Sequence, residues 1–143
     1  MKSKDDFVAS INKKEPAGIK PGGESYRILV VDDSATMRKI IIQMLKSELY
    51  DVCGEASDGA IAIEKYKELK PDVVTLDINM PNVTGIEVLN KIIQIDPEAK
   101  IVMLTSEGQK QTVLDAIKMG AKNYVVKPPE RKDLLDKIEQ VLK

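Results

Sequence analysis

Histidine is absent from this sequence of 143 residues, and cysteine occurs only once, at Cys53. Without histidine the chain lacks the commonest general base and the commonest ligand of transition metals. Any bound metal must therefore be held by oxygen atoms, which suits a hard cation such as Mg²⁺. A single cysteine excludes a disulfide within the chain, and the apolar neighbours of Cys53 predict a buried, unreactive thiol.

The sequence has neither an excess of basic residues nor a long hydrophobic run. Its 22 lysines and arginines are balanced by 23 acidic residues, so we expect neither nucleic acid nor an anionic membrane as a partner. The chain begins M-K-S-K-D-D, without the hydrophobic segment of an export signal. We therefore expect a cytoplasmic protein.

The length suits one folded domain preceded by a tail. Residues 1–25 are rich in Lys, Asp, Gly and Pro and show no sustained apolar periodicity, so they predict a flexible N-terminal extension. A short helix around Phe7, Val8 and Ile11 is the alternative for part of that segment. Residues 26–143 carry a regular apolar pattern and predict the folded domain.

Five short apolar segments alternate with amphipathic segments in that domain. The candidate strands read R-I-L-V-V-D, D-V-C-G-E-A-S, D-V-V-T-L-D, K-I-V-M-L-T and N-Y-V-V-K. The first candidate helix follows the N-cap Ser34, and its apolar face is formed by Met37, Ile40, Ile41, Met44, Leu45 and Leu49. The other candidate helices cover residues 59–69, 85–95, 109–119 and 130–142. Strict alternation predicts an α/β fold, a doubly wound five-stranded parallel sheet with helices on both faces.

Polar residues follow four of the candidate strands at the point where each strand ends. Asp32 and Asp33 end the first strand, Asp77 the third, Thr105 the fourth and Lys127 the fifth. The carboxyl ends of parallel strands open on one edge of the sheet, where ligands bind at the point of strand-order reversal. The flavodoxin-like order 2-1-3-4-5, a known arrangement of such sheets, puts that point between the first and third strands. The three aspartates are then expected to meet.

Three neighbouring carboxylates repel one another, by about 4 kcal/mol for a pair about 4 Å apart at an intermediate dielectric constant. A Mg²⁺ ion held by Asp33, Asp77 and a backbone carbonyl would offset that repulsion, and Lys127 would add a second positive charge. The same arrangement prepares Asp77 to attack a phosphoryl group, with Thr105 as a hydrogen-bond partner of the product. Taken singly, each residue also fits a plain role as a helix cap, turn or strand end. Their convergence on one edge favours a site.

The segments D-D-S-A-T-M-R, L-D-I-N-M-P-N-V-T-G, L-T-S-E-G and Y-V-V-K-P resemble the receiver domain of two-component response regulators, over residues 26–143. That resemblance implies Asp77 as phosphoacceptor, Asp32 and Asp33 as metal-binding acids, the backbone carbonyl of Asn79 as a metal ligand, Thr105 as switch hydroxyl, Lys127 as phosphoryl partner and Tyr124 as switch aromatic. It also implies a cis bond between Lys127 and Pro128, for which an ordinary trans turn is the alternative.

Within that family the sequence is most similar to single-domain chemotaxis regulators of the CheY type. The similarity rests on D-D-x-x-T-M-R, on Asn79 two residues after the acceptor and on Glu107 two residues after Thr105. Asn79 and Glu107 are then expected to influence the lifetime of the phosphoryl group. Many members of the family carry alanine at the position of Ser106, so the family resemblance does not predict how the Ser106 hydroxyl changes that lifetime.

The resemblance implies a signalling switch without a turnover substrate. Its partners would be a CheA-type histidine kinase, a flagellar motor switch protein and a CheX- or CheZ-type phosphatase. The chain ends after the fifth helix, so we expect a monomer whose output is protein contact through the fourth helix, fifth strand and fifth helix, around Lys118, Tyr124 and Lys132.

Three other functions compete with this interpretation. A phosphorelay intermediate would pass its phosphoryl group to a histidine phosphotransfer protein. A Mg²⁺-dependent phosphohydrolase resembles D-x-D at the strand end, but this chain has Asn79 in place of the second acid, and an amide cannot act as a general acid. A flavodoxin would need amides and hydroxyls where the loop after the first strand presents carboxylates.

Overall fold

The computed structural model describes residues 16–143, which fold around a five-stranded parallel sheet. The strands are β1 (Arg27–Val31), β2 (Asp51–Ala56), β3 (Val73–Asp77), β4 (Ile101–Thr105) and β5 (Asn123–Val126). The helices are α1 (Ala35–Lys46), α2 (Gly59–Leu69), α3 (Gly85–Ile95), α4 (Lys110–Met119) and α5 (Arg131–Leu142). The strand order is β2-β1-β3-β4-β5, so the predicted α/β fold and order are confirmed.

Helices cover both faces of the sheet, because successive strand residues point to opposite sides. In β1, Leu29 and Val31 belong to the cluster that packs against α2, α3 and α4, whereas Ile28 and Val30 belong to the cluster against α1 and α5. All residues of β3 and β4 are buried. Strands β3 and β4 therefore end in a region that the helices shield from water.

Helix α1 begins as expected, since the Ser34 hydroxyl accepts a hydrogen bond from the Met37 N–H at 3.2 Å. The predicted apolar face is wrong at two positions, because Ile40 is 39 % exposed and Leu49 is 53 % exposed. The helix ends at Lys46, and Leu49 lies beyond it with a left-handed φ of 63°. The buried stripe of α1 is the narrower pair Ile41 and Leu45.

Residues 16–25 pack against the amino ends of the strands, which differs from the flexible extension expected from their composition. The Gly18 N–H donates to the Glu48 carbonyl at 2.7 Å, and the Gly18 carbonyl accepts from the Tyr26 N–H at 2.7 Å. A Cβ on Gly18 would overlap the backbone of the loop between α1 and β2. Backbone contact holds this segment, so its sequence needs no apolar periodicity. Phe7, Val8 and Ile11 lie outside the described residues.

Cys53 lies in β2 and is half-buried. Its thiol donates to the Ile28 carbonyl at 3.5 Å, and burial raises its pKa above the usual value. A raised pKa lowers the fraction of reactive thiolate, in line with the expected unreactive thiol. None of the helices within residues 16–143 is long and apolar enough to cross a membrane.

Gly85 fixes the loop that follows β3. The Gly85 N–H donates to the Ile78 carbonyl at 3.0 Å, and α3 then starts with a capping box between Thr84 and Glu87. A Cβ at Gly85 would overlap the Asp77 carbonyl oxygen and the Ile78 backbone. The first turn of α3 therefore rests directly on the end of β3.

We predict that Gly85→Ala destabilises the protein by about 2–4 kcal/mol, because the methyl group displaces the backbone around Asp77. Gly22→Ala is the matched control, since a Cβ there meets nothing within 4 Å, and it should change stability by less than about 0.5 kcal/mol. Urea unfolding of both variants and wild type measures the difference. Equal free energies of unfolding for the two variants would show that the close backbone contact at Gly85 does not affect stability.

Candidate functional site

The predicted side chains meet at the carboxyl edge of the sheet. Asp32, Asp77 and Thr105 are nearly inaccessible there, with exposed fractions of 0, 1 and 2 %. Their burial follows from the ends of β1, β3 and β4 lying side by side between two helical layers. Charged groups at this depth require partners, since an isolated buried carboxylate is strongly destabilising.

Lys127 provides the partner for both buried acids. Its Nζ lies 2.8 Å from Asp32 Oδ2 and 3.0 Å from Asp77 Oδ1. The backbone reinforces this position, because the Lys127 N–H donates to the Thr105 carbonyl at 2.7 Å. The bond from Lys127 to Pro128 is cis, as expected from the family resemblance.

The three aspartates form one acidic cluster. Single carboxylate oxygens of Asp32, Asp33 and Asp77 lie within 4.8 Å of one another. Asp33 is exposed and the other two are buried. The Ser34 N–H donates to Asp32 Oδ1 at 2.8 Å, and the Lys127 ammonium lies 2.8 Å from Asp32 Oδ2. Mg²⁺ prefers oxygen ligands, so the three carboxylates of this cluster fit that ion.

Burial and the neighbouring charges shift the pKa values of the central pair. Burial raises the pKa of Asp77 from 3.8 to about 6; the hydrogen bond from Lys127 opposes that rise and the charge of Asp32 adds to it. Burial lowers the pKa of Lys127, but the hydrogen bonds to Asp32 and Asp77 more than offset this, so its net pKa is raised. Lys127 therefore stays charged near neutral pH, and the pKa of Asp77 is close to neutral pH.

Two residues that the sequence analysis did not single out also shape the edge. Arg38 Nη1 donates to the Asp32 carbonyl at 2.6 Å, and Arg38 Nε donates to Glu55 at 3.0 Å, which ties the loop after β1 to β2. Gln109 entered the sequence analysis only as the first residue of the fourth candidate helix. Its side chain accepts a hydrogen bond from the Thr105 hydroxyl at 2.9 Å. The sequence signal for Gln109 is its place at an N-cap, where a shorter polar residue is usual.

Asn79 lies beside the central acid. Its N–H donates to Asp77 Oδ1 at 3.0 Å. Its side chain is exposed and points to Gln109, with Nδ2 donating to Gln109 Oε1 at 2.9 Å. Ser106 and Glu107 are exposed in the loop after β4. The edge therefore has a buried charged centre and an accessible polar rim.

Tyr124 lies away from the buried centre. It is 39 % exposed, and the Lys137 ammonium lies 4.8 Å from its ring centroid. A groove of about 680 Å³ runs along α4 and β5, and Thr105, Ile117, Tyr124 and Val126 contribute to its lining. Lys118 on α4 and Lys132 on α5 are both exposed. This places one apolar groove directly beside the Thr105 hydroxyl.

We predict that Asp77→Asn stabilises the metal-free protein at pH 7, by about 1–3 kcal/mol, because it removes a buried charge. The pKa of Asp77 is 3.8 as its ordinary value and about 6 in the folded state. Below about 3.8 the carboxyl is protonated in both the folded and the unfolded state. As the pH rises through about 6, the unfolded state is favoured because it loses the proton more easily, so the stability of wild type falls. The advantage of the variant should therefore grow from pH 4 to pH 7.

Unfolding curves at several pH values, recorded with a chelator, measure that advantage. Saturating Mg²⁺ is the control and should reduce it, because the cation stabilises the wild-type carboxylate preferentially. An advantage that is constant from pH 4 to pH 7 would refute the raised pKa.

Comparison with known proteins places this site in a defined family. A family model described as the response regulator receiver domain matches residues 28–139. The chemotaxis protein CheY of Treponema pallidum is 49 % identical, with 100 % of both chains covered. The chemotaxis protein CheY of Thermotoga maritima is 45 % identical, covering 82 % of this chain and 98 % of its own.

A solved structure is similar over most of the chain. It is the CheX-CheY-BeF₃-Mg²⁺ complex from Borrelia burgdorferi, with a TM-score of 0.88, 36 % identity, and coverage of 91 % of this chain and 99 % of that one. Sequence similarity and fold agree. The chain therefore belongs to the response regulator receiver domain family, as a CheY-like member of it.

Proposed function

We propose that this protein is a Mg²⁺-dependent phospho-aspartate switch that accepts a phosphoryl group on Asp77. The observation that carries the proposal is the contact of the buried Asp77 carboxylate with Lys127 inside an acidic cluster. A nucleophilic carboxylate needs nearby positive charge where the transferred oxygens will lie. Asp32 shares the burial, the cluster and the contact with Lys127, but its two oxygens are engaged separately, Oδ1 by the Ser34 N–H and Oδ2 by Lys127. Within the described residues both polar contacts of Asp77 fall on Oδ1, so Oδ2 of Asp77 is the oxygen left for attack.

Asp32, Asp33, Asp77 and the Asn79 carbonyl are the groups proposed to hold the metal. When bound there, Mg²⁺ neutralises the negative charge on the phosphoryl oxygens during transfer. A carboxylate oxygen of Asp77 attacks the phosphorus of a phosphohistidine in a kinase, so that an O–P bond forms as the N–P bond breaks. The histidine nitrogen keeps the electron pair and takes up a proton, and Lys127 pairs with a phosphoryl oxygen.

Hydrolysis returns the switch to its starting state. Water attacks the phosphorus, the O–P bond breaks, and the Asp77 carboxylate and inorganic phosphate are released. The backbone N–H of Asn79 contacts Asp77, so we assign the Asn79 side chain a role in orienting water, and Ser106 and Glu107 lie in the exposed loop after β4. The lifetime of the phosphoryl group is set by this polar rim.

The readout of the switch is assigned to Thr105 and Tyr124. The Thr105 hydroxyl moves toward the phosphoryl group, and the Tyr124 ring turns inward into the space beside it. The groove between α4 and β5 adjoins both residues and would change shape in that transition. Phosphorylation at one edge is thereby coupled to a surface made of α4, β5 and α5.

The proposed partners follow from the relatives. A CheA-type kinase supplies the phosphoryl group, and a flagellar motor switch protein binds the phosphorylated surface around Lys118, Tyr124 and Lys132. The similar Borrelia structure is a complex of CheY with CheX, which favours a CheX-type over a CheZ-type phosphatase for this chain. The exposed Asn79 and Ser106 leave the rim of the site open to such a partner.

We predict that wild type incubated with acetyl phosphate and Mg²⁺ gains one phosphoryl group, and that Asp77→Asn gains none, because an amide cannot replace the carboxylate as the nucleophile. Intact-mass spectrometry measures the incorporation. The matched control is Asp51→Asn, an exposed acid at the start of β2, which should be phosphorylated like wild type. Phosphorylation of Asp77→Asn at the wild-type rate would disprove the acceptor.

We further predict that beryllofluoride with Mg²⁺ tightens binding to the flagellar switch protein of the same organism by at least about tenfold, and that Tyr124→Ala removes most of this gain. Isothermal titration calorimetry measures both effects. Ile61→Ala is the control, because Ile61 is an exposed apolar residue on α2. Equal binding with and without beryllofluoride, together with fast discharge to a histidine phosphotransfer protein, would instead establish a phosphorelay intermediate.

A further inference from the structure

A single amide side chain, Gln109, connects the residues that the proposed switch needs to move. Its Oε1 accepts from the Thr105 hydroxyl at 2.9 Å, from the Ser106 N–H at 2.9 Å and from Asn79 Nδ2 at 2.9 Å. Its Nε2 donates to Asn79 Oδ1 at 2.8 Å. The end of β4 is thus joined to the loop after β3 by one residue.

Stabilisation of α4 does not explain the choice of this residue. Gln109 occupies the N-cap of α4, where serine, threonine, aspartate or asparagine is preferred, and its side chain makes no capping hydrogen bond. The amide instead points back toward β4 and β3. Gln109 occupies a cap position, but its side chain forms hydrogen bonds that link the loop after β4 to the loop after β3.

The hydrogen bonds direct the Thr105 hydroxyl and the Asn79 side chain toward Gln109. Thr105 donates its hydroxyl to Gln109 and to the Ser106 carbonyl at 3.2 Å, so that proton is not directed at the acceptor aspartate. The Asn79 side chain is likewise paired with Gln109, although its backbone N–H contacts Asp77. To bond a phosphoryl group, the Thr105 hydroxyl must exchange this partner for the new one.

We propose that Gln109 is a positioning residue that stabilises the unphosphorylated conformation and so sets how readily the switch responds. The proposal rests on the proposed function of Asp77. Hydrogen bonds present in only one of two states shift the equilibrium by their net free energy. Removing the Gln109 amide therefore favours the state in which Thr105 faces the phosphoryl group.

Two substitutions separate positioning from helix stability. Gln109→Met keeps the length of the side chain but removes the amide, and it supplies no cap. Gln109→Ser also removes the amide but supplies a capping hydroxyl, which should raise the stability of α4. A role limited to α4 stability predicts opposite effects of the two variants on the switch, whereas positioning predicts the same effect.

The experiment titrates each protein with beryllofluoride at saturating Mg²⁺ and follows the bound species by ¹⁹F NMR. Both Gln109 variants should bind the probe about 3- to 10-fold more tightly than wild type, since one or two net hydrogen bonds opposing the bound state are lost. The affinity for Mg²⁺ alone should stay within about twofold. Gln111→Ala is the control, because the side chain of Gln111 is exposed and donates its hydrogen bond to Asp115 on the surface of α4, not to a site residue.

A second readout is the methyl resonance of Thr105 before any probe is added. In both Gln109 variants it should move from the free wild-type position toward the position of the loaded protein, which a loss of helix stability alone would not cause. Unchanged or weaker probe binding, or effects of opposite sign in the two variants, would overturn the proposal while leaving the proposed function intact. If wild type itself binds no beryllofluoride with Mg²⁺, the proposed function fails and this inference fails with it.

Discussion

The ion-pair contacts of Lys127 with Asp32 and Asp77 are the interaction on which the rest of the site depends. Two carboxylates are buried at adjacent strand ends, and one ammonium group lies within 3.0 Å of both. A single positive charge compensates two negative charges only in part, so the metal-free site retains unfavourable energy that a cation or a phosphoryl–metal unit relieves. The site thereby favours binding of a positively charged ligand, because the folded chain alone does not neutralise both carboxylates.

The parallel sheet creates this situation, and the loops around it maintain it. The sheet order brings the ends of β1 and β3 together, and the helices on both faces keep water away. Gly85 lets α3 begin against the backbone of Asp77, while Arg38 holds the loop after β1. These contacts restrict Asp77 to a narrow set of positions, which the proposed phosphoryl transfer between two proteins would require.

The proposed switch also needs groups that can change partners, and hydrogen bonds around Gln109 join such groups beside the acid centre. Thr105, Asn79 and Ser106 share one partner, Gln109, through hydrogen bonds between exposed or half-buried groups. Such bonds contribute little net free energy individually, so they can be exchanged within the energy of one phosphorylation. The same loop borders the groove next to Tyr124. In the proposed function, one short segment of chain would therefore lie between the site of phosphorylation and the output surface.

The sequence by itself determined the α/β class, the strand and helix segments, and the acids, hydroxyl and lysine at the strand ends, because alternation and strand-end position are local patterns. The order of the strands came from a known architecture and was then observed. Only the tertiary structure decided the packing of residues 16–25, the exposure of Ile40 and Leu49, and the role of Gln109. These depend on contacts between residues distant in sequence or on where a helix stops. The raised pKa of Asp77 belongs to the same group, because burial exists only once the sheet and its two helical layers have assembled.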